Sequence, residues 1–157
     1  MAKNPLTPAG FARLEAEMRR LAQDRRPDVV RAVSAARELG DLSENAEYHA
    51  AKEELRFIDR RLGELSSILR SAEIIDPVKV ACDTIKFGAT CRLADAETGE
   101  EMAYQIVGKE EADLAAGKIS NESPIARALL GKKVGAVCTF HSPRGERELE
   151  ILEILYK

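Results

Sequence analysis

Three carboxylates, Asp41, Glu44 and Glu47, stand close together in Arg37-Glu38-Leu39-Gly40-Asp41-Leu42-Ser43-Glu44-Asn45-Ala46-Glu47-Tyr48-His49-Ala50-Ala51. Asp41 and Glu44 are about one helical turn apart, so on a helix their side chains can converge on one point. Convergent exposed carboxylates suit a hard divalent cation such as Mg2+, which takes oxygen ligands and keeps several waters. Two such ligands alone hold it weakly. The site becomes useful when another molecule supplies the remaining ligands. Helix capping is the competing account. Gly40 can take the left-handed conformation that ends one helix. Asp41 can cap the next, with Glu44 completing a capping-box-like pair. Acids in a first turn are favoured by the helix dipole with no further role. Arg37 and Lys52 flank the same point. They read either as solvated partners of Glu38 and Glu53 or as cations that hold phosphates.

Other reactive constellations are scarce. The two histidines, His49 and His141, are far apart. The sequence has no Gly-rich phosphate loop, nucleophile elbow or His/Cys metal spacing. Cys82, Cys91 and Cys138 are odd in number and form no CxxC pair, so they read as reduced thiols. Residues 1–10 contain Pro5 and Pro8 and no apolar run, which predicts no signal peptide. No stretch approaches the length of a membrane span. A cytoplasmic protein with no membrane partner is expected. Net charge is −3 over 157 residues. Residues 1–75 balance acid and base, and residues 76–157 carry the deficit. General duplex binding by charge is thereby disfavoured, although local basic clusters can meet nucleic acid at selected points.

The elements that must hold the acids are helical. Thr7-Pro8 is a helix start, with Thr7 as cap. Phe11, Leu14, Met18 and Leu21 then recur at seam spacing, and the seam resumes at Val29, Val33 and Ala36. Leu21 to Val29 is one residue too long for a heptad. Arg25-Arg26-Pro27 sits in that gap, which predicts a stutter with a kink or break near Pro27. Tyr48, Ala51, Leu55, Ile58, Leu62, Leu65, Leu69 and Ala72 alternate three and four without a fault. The short turn predicts an antiparallel coiled coil, with Val29 near Leu55, Leu21 near Leu62 and Phe11 near Ala72. A helix over residues 44–75 would span roughly 48 Å. Small Ala36 and Ala51 either propagate helix or narrow the tip. Arg19, Arg20, Arg25 and Arg26 opposite Arg56, Arg60 and Arg61 form a basic stretch. Acids interrupt it, as on a solvated face.

Ile74-Ile75-Asp76-Pro77 ends the second helix, and residues 76–86 read as a linker. Strands are predicted at Phe87–Leu93, Met102–Val107, Val134–His141 and Glu148–Leu155, with turns at Thr98-Gly99 and Ser142–Gly145. Ser123-Pro124 starts a short helix over Ile125–Leu130, stopped by Gly131. The fold class is therefore α+β in two domains. Residues 1–75 form an antiparallel coiled-coil helical hairpin, and residues 76–157 a small α+β unit suited to docking.

Several runs resemble the GreA-type bacterial transcript cleavage factors. They are Gly40 to Lys52, Arg25-Arg26-Pro27, Phe87-Gly88-Ala89-Thr90, Tyr104-Gln105-Ile106-Val107-Gly108, Ile119-Ser120 and Ser123 to Lys132. The likeness covers nearly the whole chain in order. It implies a coiled coil followed by an FKBP-like domain. That domain docks on the rim of the RNA polymerase secondary channel while the coiled coil reaches down to the active site. There the tip acids help hold the second Mg2+, and the polymerase itself cuts backtracked RNA near its 3′ end. By this resemblance Asp41 and Glu44 are the metal-site acids, and Arg37 and Lys52 the basic residues near the RNA. Ser120, Ser123, Pro124, Ile125 and Arg127 belong to the docking side. The implied protein is a monomer, is not a nuclease alone and binds no Mg2+ tightly when free. Ser43 and Lys52 are minor departures, and a broken basic stretch favours the GreA over the GreB type. Three rivals predict different behaviour: a channel-blocking relative, a coiled-coil scaffold, and a prolyl isomerase, for whose aromatic-lined pocket residues 76–157 offer only Phe87, Tyr104, Phe140 and Tyr156.

Overall fold

The computed structural model describes residues 3–40 and 45–157. The chain divides into two compact units: Phe11–Ala72, and Lys3–Gly10 together with Glu73–Lys157.

The first unit is a helical hairpin. Its outgoing arm is α1 (Pro8–Arg20), a π turn at Leu21–Arg25, and α2 (Arg26–Arg37). Its return arm is α3 (Ala46–Arg70). The break predicted near Pro27 does not occur. Arg20, Arg25 and Arg26 keep right-handed helical angles, with φ of −62°, −70° and −60°. The Arg26 amide donates to the Leu21 carbonyl, closing a turn one residue larger than an α turn. The surplus residue between Leu21 and Val29 is absorbed there, not as a supercoil stutter. Pro27 explains the location. Its ring crowds the carbonyl four residues back, at Gln23, and it has no N–H to offer. A widened turn just upstream relieves both problems. The seam survives on either side, with Leu14 and Val29 each 2% exposed.

Helix α3 is shorter than predicted. It starts at Ala46, and Ala72 lies beyond it in strand β2 (Ala72–Ile74). Asp41 and Glu44 lie outside the described residues, and so does the cap expected of Asp41; the residue that caps α3 is Asn45. Ala51, Ile58 and Leu65 are buried at heptad spacing, while Leu55, Leu62 and Leu69 are half-buried. Among the described residues, three ion pairs cross between the arms and mark their antiparallel register. Arg61 grips Glu17 with two bonds of 2.9 and 3.1 Å. Arg26 meets Asp59 at 2.7 Å, and Arg25 meets Glu54. The bond from Arg61 is the main reason the Glu17 carboxyl titrates below its ordinary range. Leu21 shares a crevice with Phe57 and Ile58, about one turn from its predicted neighbour Leu62.

The second unit is built on a five-stranded sheet in the order β5-β4-β3-β7-β6. Its strands are β3 (Thr90–Asp95), β4 (Glu101–Val107), β5 (Lys118–Ser120), β6 (Val137–Ser142) and β7 (Gly145–Leu155). The two predicted hairpins are present, β3 with β4 and β6 with β7, and they join through an antiparallel β3–β7 ladder. The first strand starts at Thr90, not Phe87. Strand β5, parallel to β4, was not predicted. Helix α4 (Pro124–Leu129) packs Ala126 and Leu129 against Cys91, Leu93, Ile106, Leu149 and Ile151.

One bulge decides which side chains reach this core. Arg92 pairs with Glu153 but Leu93 with Ile151, so Leu152 is the extra residue. Ile151 and Ile154 thereby both turn to the core side, opposite Leu93 and Cys91. Arg92 stays outside, between Glu101 at 2.7 Å and Glu153 at 3.2 Å.

The predicted linker at 76–86 is packed structure. Pro77–Val80 form a 3-10 turn, and Pro77 and Ile85 are buried. The N-terminal segment also belongs to this unit. Strand β1 (Asn4–Leu6) pairs with β2, and Leu6 is fully buried. Thr7 caps α1 as predicted, accepting from the Gly10 amide at 3.1 Å. The buried Glu111 carboxylate in turn accepts from the Thr7 amide at 3.0 Å and from its hydroxyl. Gly10 lies against that carboxylate, where a Cβ would overlap it.

Candidate functional site

The end of the hairpin is organised by Asn45. Its backbone is extended, with φ −82° and ψ 97°, as an N-cap requires. Its Oδ1 accepts from the Tyr48 amide at 3.0 Å. Its Nδ2 donates across the hairpin to the Ala36 carbonyl at 2.6 Å. One side chain thus closes the first turn of α3 and ties it to the last turn of α2. Gly40 has a positive φ of +117°, but α2 already ends at Arg37 with Glu38 as its cap, so Gly40 lies past the helix end it was expected to form. Glu47 is the acid in the first turn of α3, where the dipole favours it.

Tyr48 is 8% exposed, and the small Ala36 of α2 and Ala51 of α3 are buried at the same end of the hairpin. Two cations sit on its ring: Arg37 from α2, at 5.9 Å from the centroid, and Lys52 from α3, at 5.2 Å. The His49 ring meets its edge at 5.5 Å. Hydrogen bonding from Arg37, then from Lys52, lowers the pKa of the Tyr48 phenol below its ordinary value. Arg37 and Lys52, predicted to flank one point, are therefore brought together on one side chain. Asp41 and Glu44, the predicted metal acids, are outside the described residues. Among the described residues no group of three or more His, Cys, Asp or Glu side chains could hold a metal ion.

The basic stretch of the arms is neutralised piecemeal. Besides the cross-arm pairs, Arg56 meets Glu53 at 3.0 Å and Arg19 meets Glu15 at 4.0 Å. Exposed pairs of this kind contribute little stability. They do remove the picture of a continuous basic face.

In the second unit the predicted docking residues form one local structure. Ser123 Oγ donates to the Ser120 carbonyl at 2.7 Å and accepts from the Ala126 amide at 3.3 Å. Ser120 Oγ accepts from the Glu122 amide at 3.1 Å. These bonds fix the entry to α4. Pro124 and Arg127 face solvent, and Ile125 packs partly on the core. Three of the four aromatics of this unit are part of its core packing. Tyr104, Phe140 and Tyr156 pack on the core, and the Tyr156 hydroxyl donates to the Thr84 carbonyl at 2.5 Å.

Sequence reasoning missed two site residues. Tyr48 was read as the first seam residue and Asn45 as part of the turn. The available signal was the cap-type Asn three positions before an aromatic that faces two alanines.

Comparisons with known proteins agree across both units. The family description "Transcription elongation factor, N-terminal" matches residues 4–74, and "Transcription elongation factor, GreA/GreB, C-term" matches residues 80–156. A protein of Acidiphilium cryptum named transcription elongation factor GreA is 49% identical over 156 residues, covering 99% of each chain. One of the same name from Rhodospirillum rubrum is 50% identical over 156 residues, again covering 99% of each. Among solved structures, the GreA factor homolog 1 (Gfh1) of Thermus thermophilus is 31% identical, covering 98% of this chain and 99% of its own, with a TM-score of 0.45.

Proposed function

Because the chain belongs to the GreA/GreB family of transcription elongation factors, we propose that it acts on backtracked bacterial RNA polymerase and stimulates the polymerase's own cleavage of the extruded RNA 3′ end. The observation that carries this reading is the end of the hairpin. Arg37 and Lys52 converge there on Tyr48, on either side in sequence of the segment bearing Asp41 and Glu44. The hairpin enters the secondary channel in the cytoplasm as part of one monomer. The second unit docks on the channel rim through Ser120, Ser123, Pro124, Ile125 and Arg127, of which Pro124 and Arg127 are solvent-facing.

Asp41 and Glu44 are hard oxygen donors, which is the chemistry Mg2+ requires, and the polymerase supplies the other ligands. Held by Asp41 and Glu44, the second Mg2+ would supply activation of the attacking water, while the polymerase's other ion would steady the leaving oxygen. Arg37 and Lys52 hold RNA phosphates by charge-assisted hydrogen bonds. The free chain cuts nothing, because two carboxylates do not assemble a reaction centre.

The test is a stalled, backtracked elongation complex given the wild-type chain or Asp41→Asn/Glu44→Gln, at matched occupancy and across a Mg2+ titration. The wild type should release short 3′ RNA fragments. The double variant should dock but not cleave, with partial recovery at high Mg2+. Equal cleavage by both at every Mg2+ concentration would return the two acids to a structural role.

A further inference from the structure

Asn45 and Tyr48 join the two arms immediately beside the proposed reactive segment. Asn45 does so with both ends of its amide, as acceptor toward α3 and donor toward α2. No other natural cap residue of that length does both. Asp caps equally well but cannot donate. Tyr48 supplies the second link. Arg37 and Lys52 are like charges on opposite arms, and their repulsion alone would splay the hairpin end. The negative ring face, 5.9 Å from one cation and 5.2 Å from the other, offsets that repulsion. Ala36, 3% exposed, and Ala51, 9% exposed, are the small buried residues of the two arms at this end.

We infer that Asn45 and Tyr48 are positioning residues, a platform that fixes Arg37 and Lys52 in mutual geometry at the hairpin end. This rests on the reading of that end as the part that meets the RNA 3′ end. The platform touches neither RNA nor metal. It acts by setting where the two cations stand when the phosphates arrive. Catalysis is steep in such placement, since an error near 1 Å can cost about 100-fold in rate.

Two measurements on the full-length chain test this. The first needs no polymerase. In the free protein, the side-chain methylene protons of Lys52 and Arg37 should show upfield ring-current shifts in NMR spectra. These shifts should vanish in Tyr48→Leu. They should shrink in Tyr48→Phe, which loses the phenol oxygen that Arg37 and Lys52 bond, and in Asn45→Asp, which keeps the α3 cap but loses the donor to Ala36. The second measurement is the rate of RNA cleavage in backtracked complexes as the factor is titrated. Tyr48→Leu and Asn45→Asp should lower the maximal rate about 10- to 100-fold. The half-saturating concentration should stay within about twofold, and the maximal rate of Tyr48→Phe should fall between those of wild type and Tyr48→Leu. Unshifted Lys52 and Arg37 protons in the wild type overturn the platform itself. So does a wild-type maximal rate in Asn45→Asp and Tyr48→Leu, or a defect confined to half-saturation. A wild-type chain that shows the ring-current shifts but promotes no cleavage instead overturns the proposed function.

Discussion

Two helical glycines should respond to the same substitution with opposite sign. Gly63 lies within α3, and a Cβ there would meet nothing within 4 Å. Gly63→Ala should stabilise the hairpin by about 0.5–1 kcal/mol, the helix-propensity difference. Gly10 lies in the first turns of α1, where the same propensity gain is available. There, however, the new Cβ would overlap the Cδ and Oε1 of Glu111. Glu111 is 3% exposed and cannot swing away without releasing Thr7, whose amide and hydroxyl both donate to it. Losing the two bonds to this side chain costs about 3 kcal/mol, taking about 1.5 for each. Set against at most about 1 kcal/mol of propensity, Gly10→Ala should destabilise the second unit by about 2 kcal/mol. That corresponds to a fall in melting temperature on the order of 10 °C for a unit of this size. The two units need separate readouts, so amide hydrogen exchange resolved by segment across a urea titration is the suitable assay. The control is Gly10→Ala made on top of Glu111→Ala, where the penalty should disappear and the propensity gain remain. If Gly10→Ala stabilises Lys3–Gly10 and the sheet as Gly63→Ala stabilises the hairpin, the close packing of Glu111 on Gly10 is wrong.

The second unit also carries an acid-sensitive pair and an uneven set of thiols. Hydrogen bonding from Arg147, at 2.9 Å, is the main cause of an Asp95 pKa below its ordinary value. Asp95 therefore contributes stability above its unfolded pKa and loses that contribution as pH falls through its lower folded pKa. The melting-temperature gap between wild type and Asp95→Asn should be full at pH 6 and narrow below about pH 4; a gap independent of pH would contradict the pairing. Burial pushes the Cys91 thiol up to about 12 and raises Cys138 as well, whereas hydrogen bonds led by Thr84 lower the exposed Cys82. A thiol reagent at neutral pH should label the native protein once, and Cys82→Ser should abolish that labelling. Native labelling of two or three thiols would refute the burial.

Much of this architecture is legible in the residues, and the misses have physical causes. The faultless seam of α3 and the Thr7 and Ser123 caps are local signals, readable without knowing the fold. The π turn was visible as an eight-residue spacing, but spacing alone does not say whether a helix breaks, unwinds or widens. Asn45 is the α3 cap, and its further bond across the hairpin to the Ala36 carbonyl depends on the folded partner arm, which local cap signals do not show. Strand β5 is three residues long and gains its identity only from pairing with β4. The Leu152 bulge is a tertiary outcome too, since it is needed only once β7 must match β3 on one face. At the candidate site, the charges could be read from residue type and order. The ring that gathers them could not, because a tyrosine at a seam position looks like any other buried aromatic.

The π turn separates two quantities that a straight helix keeps equal: how many residues have passed, and which face is presented. In an uninterrupted helix one added residue turns everything downstream by about 100°. That would carry Val29, Ala36 and Arg37 off their partners on α3. Here the added residue is consumed inside a single turn, so the face toward the tip is the one a chain shorter by one residue would show. Position number and helix face therefore go out of step at Leu21–Arg25. Two hairpins of this kind that differ in length by one residue can share every contact downstream while sharing none of the numbers.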